Sequence, residues 1–517
     1  MNESSNIIKN ILIYALCVPV AVFVGYQLTN PLTYSAFGWI GALLFICAFP
    51  IMFRWHHFLM VLSFNTIAVV FFIPGRPGLG LVMAALSLGL SILQRTLNRH
   101  MPFIWVPQLT RPLIFTAVVV LVTAELTGGI GLRSMGSSVY GGRKYVMLLC
   151  GIFIYFALTA RRIPRDKVWT YVGAFFFGGM TTIIPDLFAL FTPSLHFLFW
   201  IFPPSEAAFR GDTLNVGVVR LSGAGGVAIA IFSYLLARYG VRSMLAPNGA
   251  KEVTRLCLLI VGMAFGMLGG FRSLIVVNFL IFSIMFYLEG LHRTKYLVRL
   301  VVAGLVLATG LVVFSSKLPS TIQRSLTVLP LPLKLDNTVV MDAQASKDWR
   351  IRIWQGVLPE IPRYLLLGKG YGISTFDFNQ YSGTTGISGE QSFSAISSDF
   401  HNGPISVLIP FGIWGGIAWL WFLIATGRAL YANYRYGPPE FKTLNSFLMA
   451  SFFARCVMFF FVFGAYNDDL FRFAGMVGLS VSLNGGVYGS KKAIPSEAAP
   501  KGAFINILRR PKPAYQP

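Results

Sequence analysis

Apolar runs long enough to cross a bilayer recur along the whole 517-residue chain. A hydrocarbon core about 30 Å thick needs roughly twenty apolar residues in a helix. Within it every backbone N–H and C=O must be satisfied by the protein itself, so such runs fold as helices. Hydropathy predicts about fourteen spans, near 8–28, 34–53, 57–74, 77–94, 111–127, 144–160, 167–190, 222–239, 253–270, 273–290, 298–315, 402–427, 444–466 and 470–488. The stretch "MPFIWVPQLTRP" between the fourth and fifth is aromatic and broken by prolines, and is expected to lie along the interface. The first run lacks a small-residue cleavage site and leads straight into the second, which predicts a retained span. Only 12% of the residues are charged, against about 25% in a soluble domain. The expected fold class is an all-α polytopic membrane protein.

The net charge of +23 has to be explained within that class. With the N-terminus in the cytoplasm and the spans alternating, the inner segments hold 25 Lys and Arg. They include "ARRIPRDK", "HRTKYLVR", "GRALYANYRYGPPEFK" and the C-terminal tail. The outer segments hold 16, half of them in one long loop, and Arg455 falls within a span. Cytoplasmic loops carry the excess of basic residues in membrane proteins, so this orientation is the expected one. The charge is then a matter of topology and of contact with anionic lipid, and no nucleic-acid partner is expected. Four segments follow: an N-terminal transmembrane bundle over 1–316, a large outer loop with amphipathic helices over 317–401, C-terminal transmembrane helices over 402–488, and a basic tail over 489–517. The tail is Pro-rich and is expected to be disordered.

No nucleotide or metalloprotease motif is present, and no cofactor is expected. Cys17, Cys47, Cys150, Cys257 and Cys456 all lie in apolar spans without metal-ligand spacing, and are expected to be small core hydrophobes. No residue is assigned to a metal.

The chemistry-bearing residues gather on the predicted outer face. Arg210 and Arg220 flank "GDTLNVGVV", and Arg272 stands in the turn "GGFRS". Guanidinium forks there suit an anion held at headgroup level. The long loop contains "WRIRIWQGVLPEI", which has the pattern of an amphipathic helix carrying Arg350, Arg352 and Trp354. A glycine-rich turn and a Ser/Gly-rich stretch follow and end at His401 and Asn402, where an apolar run begins. Imidazole exchanges a proton near neutral pH, which makes His401 a candidate base. His196, in "SLHFLFWIF", is expected to be an interfacial anchor.

These residues carry a resemblance. The region "RIRIWQGVLPEIPRYLLLGKGYGISTF" followed by "HNGPISVLIPFGIWGGI" is similar to the signature of the O-antigen ligase and polymerase family. The matching positions are Arg350, Trp354, Gly368, Gly370, Gly372, His401, Asn402, Gly412 and Gly415. Arg220 in "VVRLSGAGG" and Arg272 in "GGFRSLIVV" resemble the family's earlier arginines, without the Pro-Asn after the first or the serine before the second. The resemblance implies the GT-C-like fold of membrane glycosyltransferases, with the large loop in the periplasm of a bacterial inner membrane. It implies a metal-independent, inverting transfer of a glycan from undecaprenyl diphosphate, or another polyprenyl diphosphate, to an acceptor hydroxyl. The acceptor would be a glycan, a protein or a lipid such as the lipopolysaccharide core. In that setting His401, Arg350 and Arg220 are the expected catalytic residues. Arg272, Arg352 and Arg210 are expected on the diphosphate, and Asn402, Trp354 and Gly370 as support for the loop and acceptor. Arg220 and Arg350 are expected to meet in space. The alternative is a lipid-linked oligosaccharide flippase or another polysaccharide transporter. Such proteins are built from two similar halves, and no repeat relates 1–250 to 251–517.

Overall fold

The computed structural model describes residues 34–99, 101, 103–131, 141–191, 193–204, 220–246, 249–373 and 398–489, with parts of 14–29. Among these residues the fold is helical, with no strand and one isolated bridge between Val69 and Gly78. The first half holds α1 (Tyr34–Ser63), α2 (Leu79–Leu97), α3 (Pro107–Thr127), α4 (Gly142–Thr159), α5 (Val168–Phe177), α6 (Ile183–Phe191), α7 (Ser222–Leu245) and α8 (Ala250–Met267). Then come α9 (Arg272–Leu288), α10 (Lys295–Phe314), α11 (Ser320–Leu326), α12 (Asn337–Val357) and α13 (Ile361–Tyr364). The chain closes with α14 (Gly403–Tyr436), α15 (Lys442–Val457) and α16 (Tyr466–Asn484).

Nine helical segments among the described residues are long and apolar enough to cross a membrane. The clearest is Lys295–Lys317, whose most apolar stretch has a mean hydropathy of 2.5 with none of it buried in the protein. A helix that bare of protein contact and that apolar is stable only in lipid. The protein is therefore a multi-pass membrane protein. Lipid contact also explains three of the cysteines: Cys17, Cys47 and Cys257 are exposed, not packed as expected, and only Cys150 is fully buried.

Several predicted boundaries move. The second and third spans fall in one helical run, α1, which contains Pro50 and ends at Ser63, while 64–78 leaves the helix. "PQLTRP" is the first turn and a half of α3 and not an interfacial connection. Proline suits the first helical position because its missing N–H has no intrahelical acceptor to lose, and Pro107 stands there. The seventh span is divided into α5, a 3-10 segment Gly178–Thr182, and α6. The tail beyond 489 and the Ser/Gly-rich stretch 374–397 lie outside the described residues.

Small residues let the helices approach closely, as membrane bundles require. A Cβ on Gly151 of α4 would stand 3.2 Å from the Phe471 nitrogen of α16, and one on Gly478 of α16 2.9 Å from Leu158 of α4. At one end of the bundle α16 is tied by polar contacts: Ile163 N–H, just after α4, donates to the Ser482 carbonyl (3.1 Å), and the Asn445 amide of α15 pairs with that of Asn484 (2.9 and 3.1 Å). The loop helices α11 to α13 cover the opposite end, where α7, α9 and α14 begin.

Candidate functional site

Helix α12 places the charged groups. Asp336 caps it by accepting from Thr338 N–H at 3.3 Å. Positions 339, 343, 353 and 357 are buried, a stripe at helical spacing, and Asp342 and Arg350 lie along the same side two turns apart. The Asp342 carboxylate accepts from Arg220 at 3.3 Å and, more closely, from Arg324 Nε. Arg324 also donates to the Gly270 carbonyl at 2.7 Å. Arg272 donates to the Ala343 carbonyl at 3.4 Å, and the charges of Arg324 and Arg350 bear on it.

Two guanidiniums thus hold the Asp342 carboxylate, Arg220 from just ahead of α7 and Arg324 from α11, with Arg272 at the start of α9 beside them and Arg350 further along α12. Burial, and then the charge of Arg324, lowers Arg220 from its usual value, with Arg272 adding to the effect and Asp342 opposing it. Arg350 is lowered by burial and by Arg324. Like charges brought together under partial burial call for a further anion. Arg220 and Arg350 come to the same cluster without a direct contact. Arg220 meets Asp342, about 12 Å along α12 from Arg350 at 1.5 Å per residue.

The helix start at α14 explains the two residues ahead of it. Asn402 is the N-cap of α14, its Oδ1 accepting from Ile405 N–H at 3.1 Å. His401 has a left-handed backbone, φ +48°, which turns its ring toward α12. The ring lies between Trp349 (centroids 5.0 Å) and Phe463 (5.1 Å), and the Arg350 guanidinium sits over the same Phe463 ring at 5.9 Å. Base candidate and cation thus share one aromatic partner. Trp354 Nε1 donates to the Phe400 carbonyl at 2.8 Å and ties α12 to the residue before the histidine. His401 is held below its ordinary pKa by burial, with Asp399 pulling it up and Arg350 pushing it down.

The glycine turn positions all of this. Pro410 and Gly412 (φ +60°) break α14, and the break changes backbone partners. Ile413 N–H donates to the Leu365 carbonyl (2.7 Å), while the Ile409 and Pro410 carbonyls accept from Lys369 and Gly370 N–H (2.8 and 2.9 Å). Gly370 has φ +68°, and a Cβ there would fall 2.0 Å from Thr127 Oγ1. Its role is the docking of the loop onto α3, α4 and α14.

The remaining expected residues separate. Arg352 is exposed, about 200° around α12 from Arg350 at 100° per residue. Arg210 lies outside the described residues. His196 is exposed and stacks on Phe199 at 4.9 Å. Sequence reasoning missed Arg324, Asp342, Asp399 and Phe463. The spacing of Asp342 to the apolar stripe of α12 was a usable signal; Arg324 and Phe463 are brought in by tertiary packing alone. Beside the cluster a cavity of about 290 Å³ is lined by Ser222, Phe271, Ser273, Arg455, Phe463 and Arg472, among others.

Residues 256–420 match the family model described as O-antigen ligase. It is by this stretch that the chain is similar to the O-antigen ligase family. The match runs from within α8 to the middle of α14 and so includes Arg272, Arg324, Asp342, Arg350 and His401, while Arg220 lies ahead of it. No match was found among curated proteins.

Proposed function

We propose that this protein is a member of the O-antigen ligase family and an inverting membrane glycosyltransferase, moving a glycan from a polyprenyl diphosphate to an acceptor hydroxyl. The observation that carries the reading is one cation-rich patch, with Arg220 and Arg324 on Asp342, Arg272 on the next residue's carbonyl, and Arg350 further along α12 sharing Phe463 with His401.

The acceptor oxygen attacks the anomeric carbon as the bond to the diphosphate breaks, and configuration inverts. The leaving diphosphate takes the electron pair and needs positive charge, not a proton. Each charge-assisted hydrogen bond contributes about 1.5–3 kcal/mol, and preorganised guanidiniums need little rearrangement to deliver it. Neutral His401 receives the proton of the acceptor hydroxyl. Arg210 and Arg352 are further candidate contacts to the donor as it approaches. In this reading the loop 317–401 faces the periplasm, the spans number about fourteen in a GT-C-like arrangement, and both termini are cytoplasmic in the inner membrane. The acceptor is a glycan, a protein or a lipid.

The test uses purified protein in nanodiscs with a polyprenyl diphosphate glycan and candidate acceptors. Product with the opposite anomeric configuration, lost in the Arg350→Ala and His401→Ala variants, is the expected result. Donor movement across the bilayer with no new glycosidic bond would overturn the reading in favour of a transporter.

A further inference from the structure

His401 Nδ1 is buried and makes no hydrogen bond among the described residues. An isolated buried polar atom is costly, so a group that completes it is to be sought among its neighbours. From α12, Trp349 offers a ring and Arg350 only donors. From the segment between α15 and α16, Phe463 offers a ring. From its own segment, Asp399 places Oδ1 3.7 Å from Nδ1. Among the described residues it is the acceptor that faces this nitrogen. The backbone is bent to bring the two together: Ser398 and His401, either side of Asp399 and Phe400, both have left-handed backbones, at φ +55° and +48°. Non-glycine residues hold that conformation at a cost, and such positions cluster at working sites.

We propose that Asp399 is the positioning residue for His401, its carboxylate taking the Nδ1–H so that Nε2 is left unprotonated toward the acceptor hydroxyl. This rests on the reading of His401 as the base. A shortening of under 1 Å makes the bond, and catalytic hydrogen bonds are commonly longer before substrate binds. When Nε2 takes the proton from the acceptor oxygen, the imidazolium carries its charge against Asp399. The proton then passes to water, and the imidazole is restored. Asp399 is itself subject to Lys144 and Asp468, whose charges reach it from α4 and α16.

Two variants test the proposal, Asp399→Ala and Asp399→Asn, with the whole protein in nanodiscs. Donor binding should stay as in wild type in both, which also reports that they fold. In Asp399→Ala the kcat for transfer should fall about tenfold, the scale of one charge-assisted hydrogen bond, with KM for donor unchanged. In both variants the pH midpoint of transfer should move lower, because the group that raises the histidine is gone. Isotope-labelled histidine gives a readout independent of turnover. With the His401 resonance identified by its loss in His401→Ala, wild type should carry the proton on Nδ1, and Asp399→Ala should shift it toward Nε2. Unchanged kcat and midpoint in both variants, or a wild-type imidazole protonated on Nε2, would overturn the proposal. If His401→Ala abolishes transfer while the Asp399 variants behave as wild type, the positioning role alone falls. If His401→Ala transfers normally, the base assignment falls with it.

Discussion

Arg350 shows why the identity of a cation matters here as much as its charge. It stands on α12 between Arg324 and His401 with its guanidinium over Phe463, and a planar fork can both face a ring and meet two phosphate oxygens at once. An ammonium has no such fork. Arg350→Lys is therefore expected to lower transfer by about tenfold or more, the loss of at least one charge-assisted bond, and to raise the donor KM. Wild-type kinetics in that variant would mean that a point charge suffices. The histidine sets the pH dependence. Its folded pKa lies below 6.5, so it stays neutral, and able to accept a proton, further into acid than a free imidazole. Transfer should be flat above pH 6.5 and fall as pH drops through a midpoint below that value. A midpoint above 6.5 in a pH–rate profile would contradict the burial and the Arg350 charge around the ring. Asn402 is a plainer case. Its side chain is occupied in capping α14, so its place beside the histidine has a structural cause.

At the scale of elements, the broken helix α14 and the glycine turn are one device. Neither half makes sense alone: Pro410 and Gly412 interrupt the helical ladder, and the turn at 365–370 supplies the partners the interruption leaves wanting. The expected effect of Gly370→Ala follows. A Cβ at φ +68° is strained, and it would collide with Thr127 and Tyr145 hydroxyls at 2.0 and 2.6 Å. The turn should lift from α14, with transfer reduced by about tenfold or more as the constellation loses its fixed geometry. Limited proteolysis should then cut the loop faster while the bundle persists; cleavage and transfer at wild-type rates would show that the dock has other supports. The glycine spacing made this turn visible in the sequence, though its partner did not. Hydrogen bonds from residue 369 to 409 and from 370 to 410 depend on how α14 bends, and bending at Pro410 leaves no mark in hydropathy. The same limit applies to Arg324. It sits on a seven-residue helix with no periodic pattern of its own, and only the packing of α11 against α9 carries it to Gly270 and Asp342.

For the whole molecule, hydropathy captured the class and most of the helices because lipid imposes one demand on every span. It failed where that demand is relaxed inside the bundle. Residues 64–78 are apolar enough to read as the end of a span, yet they run without helix, with Val69 N–H bonded to the Ile201 carbonyl at 2.8 Å and Leu79 N–H to the Ala68 carbonyl at 2.8 Å. Irregular backbone is tolerated at such depth when protein supplies its partners. Orientation is a separate matter, set by charge. The basic residues crowd the end that carries Arg165 and its exposed partner Glu440, 3.6 Å away, and the loop that carries Lys347 lies at the other. The positive-inside preference then predicts opposite accessibility for these two positions. In a chain freed of its five native cysteines, Lys347→Cys should react with a membrane-impermeant thiol reagent added to cells whose outer membrane has been opened. Glu440→Cys should react only after the inner membrane is breached. Both side chains stand in water, so neither silence nor reaction has a steric excuse. The reverse pattern would put the arginine cluster and His401 on the cytoplasmic side, where the proposed glycan transfer at the outer face could not take place.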